Sequence, residues 1–166
     1  MMFIWLMLVA MMPLSADPRD DLQFLQQIQG GWQRHCYPSV DGNTRVYRED
    51  DLVISYTHFQ FASRIYLDDT CSAERTSYSG KIRYALEGGY MPYLQDLSGG
   101  AAALPRRAYA LNFSPDDALP VILQIPSRNI IAQGGLELFL GRDDGGESSP
   151  SDRLTKLDIP SPYVRH

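Results

Sequence analysis

Three histidines, two cysteines and several adjacent aspartate pairs are the side chains in this chain best suited to chemistry. His35, His58 and His166 do not stand at a metal-ligand spacing such as H-x-x-x-H, so no zinc site is expected. His35 or His58 could serve as a base beside an acidic residue, but a lone histidine in a strand-like run is expected to be structural. Asp68-Asp69, Asp116-Asp117 and Asp143-Asp144 lie among turn-forming residues and read as turns rather than as a carboxylate dyad. Neither a G-x-S-x-G elbow nor a Walker loop is present. The expectation is a protein that is not an enzyme and needs no metal or cofactor. Asn112-Phe113-Ser114 is a formal glycosylation sequon, disfavoured by Pro115 directly after it.

The cysteines point to a compartment rather than a reaction. Residues Met1 to Met12 are uncharged and apolar, then Pro13, Leu14, Ser15 and Ala16 lead into Asp17. An apolar run ending in small residues reads as a signal peptide over residues 1–16, although its n-region lacks Lys and Arg. The alternative is an uncleaved anchor. Either way the chain is expected to be secreted or periplasmic, where Cys36 and Cys71 would form a disulfide. Closing so long a loop stabilises a fold by about 3–4 kcal/mol in the chain-entropy model. A net charge of −5 argues against nucleic acid, which requires a basic surface.

Removing the leader leaves enough chain for one domain with a core. Asp17, Pro18, Asp20 and Asp21 form a helix start, Leu22, Leu25 and Ile28 recur at helical spacing, and Gly30 stops the helix. Strand-like runs follow: Trp32–Tyr37, Thr44–Arg48, Leu52–Phe61, Arg64–Asp68 and Lys81–Glu87. Tyr109, Leu111 and Phe113 alternate with smaller residues, Val121, Leu123 and Ile125 share a face, and so do Leu136, Leu138 and Leu140. About eight short strands at this spacing predict an all-β sandwich or barrel. Residues 17–142 are expected to form it. Residues 143–166, rich in Ser, Asp, Gly and Pro, are expected to be a loosely ordered tail.

Four elements carry a resemblance. Gly30-x-Trp32-x-x-x-Cys36 opens the first strand, Arg45-x-Tyr47 lies on the second, Tyr66-x-Asp68-x-x-Cys71 ends a later one, and Gly80-Lys81-Ile82 begins the next. Over roughly residues 25–87 this set resembles the extracellular domain family of the Wnt antagonist called adenomatosis polyposis coli down-regulated. The resemblance implies an antiparallel lipocalin-like β-barrel that binds a lipid group or a lipid-modified partner. The residues also have plainer roles: Trp32 can seal a barrel end, Arg45 can stack on that ring or bond to strand ends, and Asp68 and Thr70 suit a tight turn.

A closed barrel of about eight strands can hold one small ligand, or be filled by its own side chains. For a hydrophobic small molecule the expected lining is Tyr84, Tyr109 and Leu111. Tyr90 and Tyr93 would lie at the mouth, on the Gly/Ala-rich stretch from 88 to 105. The competing expectation is an envelope module that binds another protein, such as an enzyme inhibitor or assembly factor. Ser79-Gly80-Lys81-Ile82-Arg83-Tyr84 is similar to the S-G-x-x-Y loop of the membrane-bound C-type lysozyme inhibitors, with the spacing one residue off.

Overall fold

The computed structural model describes residues 18–41, 43–91, 108–114, 128–141, 157–158 and 160–166, with backbone alone at 18–19 and 88–91. Helix α1 (Pro18–Ile28) precedes strands β1 (Gly30–Asp41), β2 (Thr44–Ile54), β3 (His58–Tyr66), β4 (Glu74–Met91), β5 (Ala108–Phe113), β6 (Arg128–Gly134), β7 (Glu137–Leu140) and β8 (Tyr163–Arg165). Each strand pairs antiparallel with the next, and β8 returns to β1, so the sheet closes into an eight-stranded barrel. Closure removes the exposed sheet edges that an open sheet would present. The expected all-β barrel with one short helix is the fold observed.

The strands are divided differently from the expectation. Leu52–Phe61 is not one strand: β2 ends at Ile54 and β3 begins at His58, with Ile54 paired to Phe59 across a tight turn. There the Ser55 N–H donates to the His58 carbonyl at 2.9 Å. The charged run Arg48-Glu49-Asp50-Asp51, which reads as a gap between strands, lies in the middle of β2. Charge survives there because the period-2 pleat sends neighbours to opposite faces. Arg64 from β3 meets Glu49 at 3.5 Å and Asp51 at 3.1 Å. Asp50 is buried and shares its face with Leu52, so it points into the barrel. Arg64–Asp68, expected as a separate strand, supplies the end of β3 and the turn after it.

Strand β4 starts at Glu74, well before the expected Lys81, because its Ser/Thr-rich first half carries no apolar alternation. Strands β6 and β8 were not expected at all. The C-terminal residues correct the loose-tail expectation: Leu157 is 2 % exposed, and Tyr163–Arg165 is the strand that closes the barrel. Residues 1–17, the pairs Asp116-Asp117 and Asp143-Asp144, the run Val121–Ile125 and the tail from 143 to 156 lie outside the described residues.

One end of the barrel is filled by α1. Phe24 and Ile28 enter the main core with Trp32, Leu52, Ile54, Phe59, Phe61, Ile82, Tyr84, Leu111 and Phe113, whereas Leu22 is exposed. Trp32 seals this end as expected: it is 1 % exposed, and its indole N–H donates to the Ile28 carbonyl at 2.7 Å. The cation over its ring is Arg165, 4.6 Å from the centroid, and not Arg45, which lies over Tyr47. Arg165 also donates to the Gln27 carbonyl. The last strand is thereby fastened to the first helix.

A second, smaller cluster occupies the opposite face of β5, β6 and β7, where Ala108, Ile130, Ala132 and Phe139 are buried with Leu157. Buried positions on both faces of these strands explain why β6 shows a continuous apolar run instead of an alternating one.

Candidate functional site

The apolar interior gives way to a polar one about midway along β2. Inward positions along that strand are Val46, Arg48, Asp50, Leu52 and Ile54, so the polar pair Arg48 and Asp50 lies between apolar positions, and Ile65 of β3, opposite Arg48, is buried as well. The cross-strand partner of Asp50 on β3 is Ser63, and that of Arg48 is Ile65. On β1, Arg34 pairs with Asp50 and Tyr37 with Arg48. Three steps on β1 against two on β2 mark a β-bulge at His35 and Cys36. The extra residue shifts the side-chain alternation, and both Arg34 and Tyr37 consequently face the interior. Tyr163 of β8 completes the group.

Asp50 is the acceptor at its centre. Tyr37 donates its hydroxyl to Oδ2 at 2.5 Å, and Tyr163 approaches the same oxygen at 3.5 Å. Arg48 donates from Nη2 to Oδ1 at 3.2 Å and to the Ser63 hydroxyl at 2.7 Å. Ser63 in turn donates to Asp50 Oδ1. Such satisfaction is what a buried carboxylate requires, since an isolated charge in the interior is costly. Burial first, and then the Asp50 charge, raises the Tyr37 phenol far above its ordinary value of 10. Burial likewise raises Tyr163 against the opposing pull of Arg34. Both hydroxyls remain protonated donors at any physiological pH.

Arg34 lies between two aromatic rings, 4.7 Å from the Tyr37 centroid and 4.3 Å from that of Tyr163. Guanidinium groups stack well on such faces. Its Nη1 donates to Asp158 Oδ2 at 3.0 Å. Burial pulls the Arg34 pKa down, but Tyr163, Tyr37, Asp158 and Asp50 together hold it above its ordinary value. Arg34 is therefore a fixed cation.

Among the described residues, Arg34 Nε and Arg48 Nε are both buried without a hydrogen-bond partner. A buried unsatisfied donor costs about 1–3 kcal/mol, and native structures rarely keep one without a water, ion or ligand to meet it. The edge of a guanidinium is well matched to the two oxygens of a carboxylate. These two donors are chemically suited to an anionic or strongly polar acceptor.

No family model, curated protein or solved structure matches this chain.

The residues expected to line a ligand site have mixed positions. Tyr84, Tyr109 and Leu111 are buried together in the apolar half. The Tyr84 hydroxyl donates to the Ser55 carbonyl at 2.8 Å, at the turn between β2 and β3. Tyr109 is covered by Phe24 of the helix. Tyr90 pairs with Tyr109 through the backbone, after a bulge in β4. Tyr93 lies outside the described residues. His58 shares a hydrogen bond of 2.7 Å with Thr57 in an exposed turn, and His35 is exposed, so neither joins the polar group.

The polar compartment itself was not anticipated. Its one sequence signal is the charged and aromatic spacing Arg34-x-x-Tyr37 followed by Arg48-x-Asp50. Without the bulge, strict alternation would place Arg34 and Tyr37 on opposite faces.

The cysteine expectation holds: Cys36 and Cys71 form a disulfide, with Cα atoms 5.9 Å apart. Cys36 belongs to the β1 bulge itself. Cys71 has a positive φ of 52° in the turn between β3 and β4. Asp68 builds that turn, as its sequence suggests, by accepting from the backbone N–H groups of Thr70 at 3.1 Å, Ser72 at 3.0 Å and Ala73 at 2.7 Å. The bridge therefore ties the bulge that orients Arg34 and Tyr37 to a turn with its own hydrogen-bond frame.

Proposed function

We propose that this protein is an exported barrel that binds a small amphiphilic or hydrophobic molecule, or the lipid group of a modified partner. The observation that carries this reading is the division of the barrel interior. The larger apolar part is capped by α1, and a polar layer beyond it holds two buried guanidinium Nε groups without acceptors among the described residues. An amphiphile is the ligand class that uses both characters, since small-molecule sites combine apolar walls with a few placed polar groups. The resemblance carried by Trp32, Cys36, Asp68 and Cys71 points in the same direction. Action outside the reducing cytosol is supported by the Cys36–Cys71 bridge, because such bonds persist in oxidising compartments.

The test is direct. Protein purified from its own compartment is examined by native mass spectrometry and then titrated with a dansyl-labelled fatty acid. A bound mass of lipid size, or saturable probe fluorescence with one site per chain, is the expected result. Absence of both from the folded protein would overturn the reading and favour a module that binds another protein.

A further inference from the structure

Asp158 stands apart from the other members of the polar compartment. Arg34, Tyr37, Arg48, Asp50, Ser63 and Tyr163 come from strands β1, β2, β3 and β8, and each is fixed by its position in the ladder. Asp158 comes from a short segment after β7, attached by the bridge of Leu157 with Gly141 and by the Asp158 N–H donating to the Leu140 carbonyl at 2.9 Å. Its carboxylate reaches Arg34 from the rim, and its side chain is 21 % exposed against 11 % for Arg34. The contact found between them runs from one nitrogen to one oxygen, Nη1 to Oδ2, and leaves the buried Nε of Arg34 without an acceptor. A carboxylate meeting a guanidinium edge-on would satisfy two donors together.

We infer that the barrel takes an amphiphile with a carboxylate head group, and that Asp158 pairs with Arg34 in its absence and gives way when it binds. This rests on the binding reading above and names the ligand's charge class and its competitor. Charge balance supports it. Among the described residues, Arg34 and Arg48 are matched by Asp50 and Asp158. An incoming monoanion that replaces Asp158 beside Arg34 keeps that balance. A monoanion added beside Asp158 would leave an uncompensated charge, which the interior disfavours. A cationic head group would face two fixed guanidinium groups. The paired rings of Tyr37 and Tyr163 hold Arg34 in place while its partner changes.

The experiment compares dodecanoate, dodecanol and dodecyltrimethylammonium by calorimetric titration of the full chain, with wild type, Asp158→Asn and Arg34→Met. In wild type, dodecanoate should bind at least about tenfold tighter than the other two, a difference of roughly 1.4 kcal/mol. Asp158→Asn removes the internal competitor and should tighten dodecanoate binding about fivefold or more, with dodecanol unchanged. Arg34→Met should weaken dodecanoate about tenfold or more and leave dodecanol within about twofold. Equal binding of dodecanol and dodecanoate would overturn this inference and leave the binding reading standing. So would unchanged or weaker dodecanoate binding by a folded Asp158→Asn protein. Failure of every probe on folded wild type would overturn both. The wild-type charge series needs no variant, so it decides the head-group class even where a substitution impairs folding.

Discussion

Phe24 lies flat on Tyr109, with ring centroids 3.9 Å apart and planes 16° from parallel. One ring comes from the N-terminal helix and the other from β5, so the contact fastens α1 to the far side of the barrel from the strand it leads into. Tyr109 is 8 % exposed and Phe24 5 %. The helix therefore closes the apolar half of the interior instead of lying along the outside.

Phe24→Ala should cost about 3–5 kcal/mol of unfolding free energy, the usual range for a large buried ring. It should also raise the amide exchange rates of α1 above those of β2 and β3. Urea unfolding and hydrogen exchange measure the two effects. A loss below about 1 kcal/mol would mean that the helix is not part of the core.

Much of this apolar half was legible in the sequence, because Tyr109, Leu111 and Phe113 alternate cleanly with smaller residues and Ile82 and Tyr84 do the same. The helix was legible too, but its spacing points to Leu22, Leu25 and Ile28, while Phe24 makes the deeper contact and Leu22 is exposed. The polar half was hidden for a physical reason. Pattern reading treats charge as solvent-facing, and Arg48-Glu49-Asp50-Asp51 looks like a loop by that rule. Its inward members are stabilised by partners on β1, β3 and β8, which are non-local. The bulge at His35 and Cys36 and the three-residue β8 depend on pairing geometry, which a single sequence does not display.

Replacing both cysteines by serine should destabilise the protein by about 3–4 kcal/mol, since the bridge joins residues 35 apart in sequence. Because Cys36 belongs to the bulge between Arg34 and Tyr37, the effect should extend to the polar compartment. Chemical-shift changes are expected at Tyr37 and Ser63 in the reduced protein, with little change at Phe59 or Ile82. Uniform small shifts across both halves would show that the bridge does not orient the bulge.

Asp68 should give the protein a pH-dependent stability term. Its carboxyl is held well below the ordinary value of 3.8, first by the Thr70 hydroxyl and then by the Ser72 and Ala73 N–H groups. The folded state therefore favours the ionised form. The resulting stability is complete above the unfolded pKa near 4 and is lost as pH falls toward the lower folded value. Asp68→Asn should reduce stability at pH 7 and flatten the decline between about pH 4 and 2. Thermal unfolding of both proteins across that range checks the sign. An unchanged acid slope would remove Asp68 as its source.

The ion pair of Arg48 with Asp50 should behave asymmetrically on substitution. Arg48→Met leaves the buried Asp50 carboxylate with hydroxyl donors but without its cation, and should cost about 3–5 kcal/mol. Asp50→Leu alone leaves Arg48 and the hydroxyls of Tyr37 and Ser63 without their shared acceptor, and should cost a similar amount. The double variant removes both charges and replaces them with apolar volume. Its loss should be smaller than either single loss, because the desolvation of two charges also disappears. A double-mutant cycle by urea unfolding reads the coupling directly. The same double variant separates stability from binding: a compartment maintained for structure would tolerate it with fatty-acid binding intact, whereas a ligand site would keep the fold and lose affinity. Simple addition of the two single losses would show that Arg48 and Asp50 do not interact along the inner face of β2.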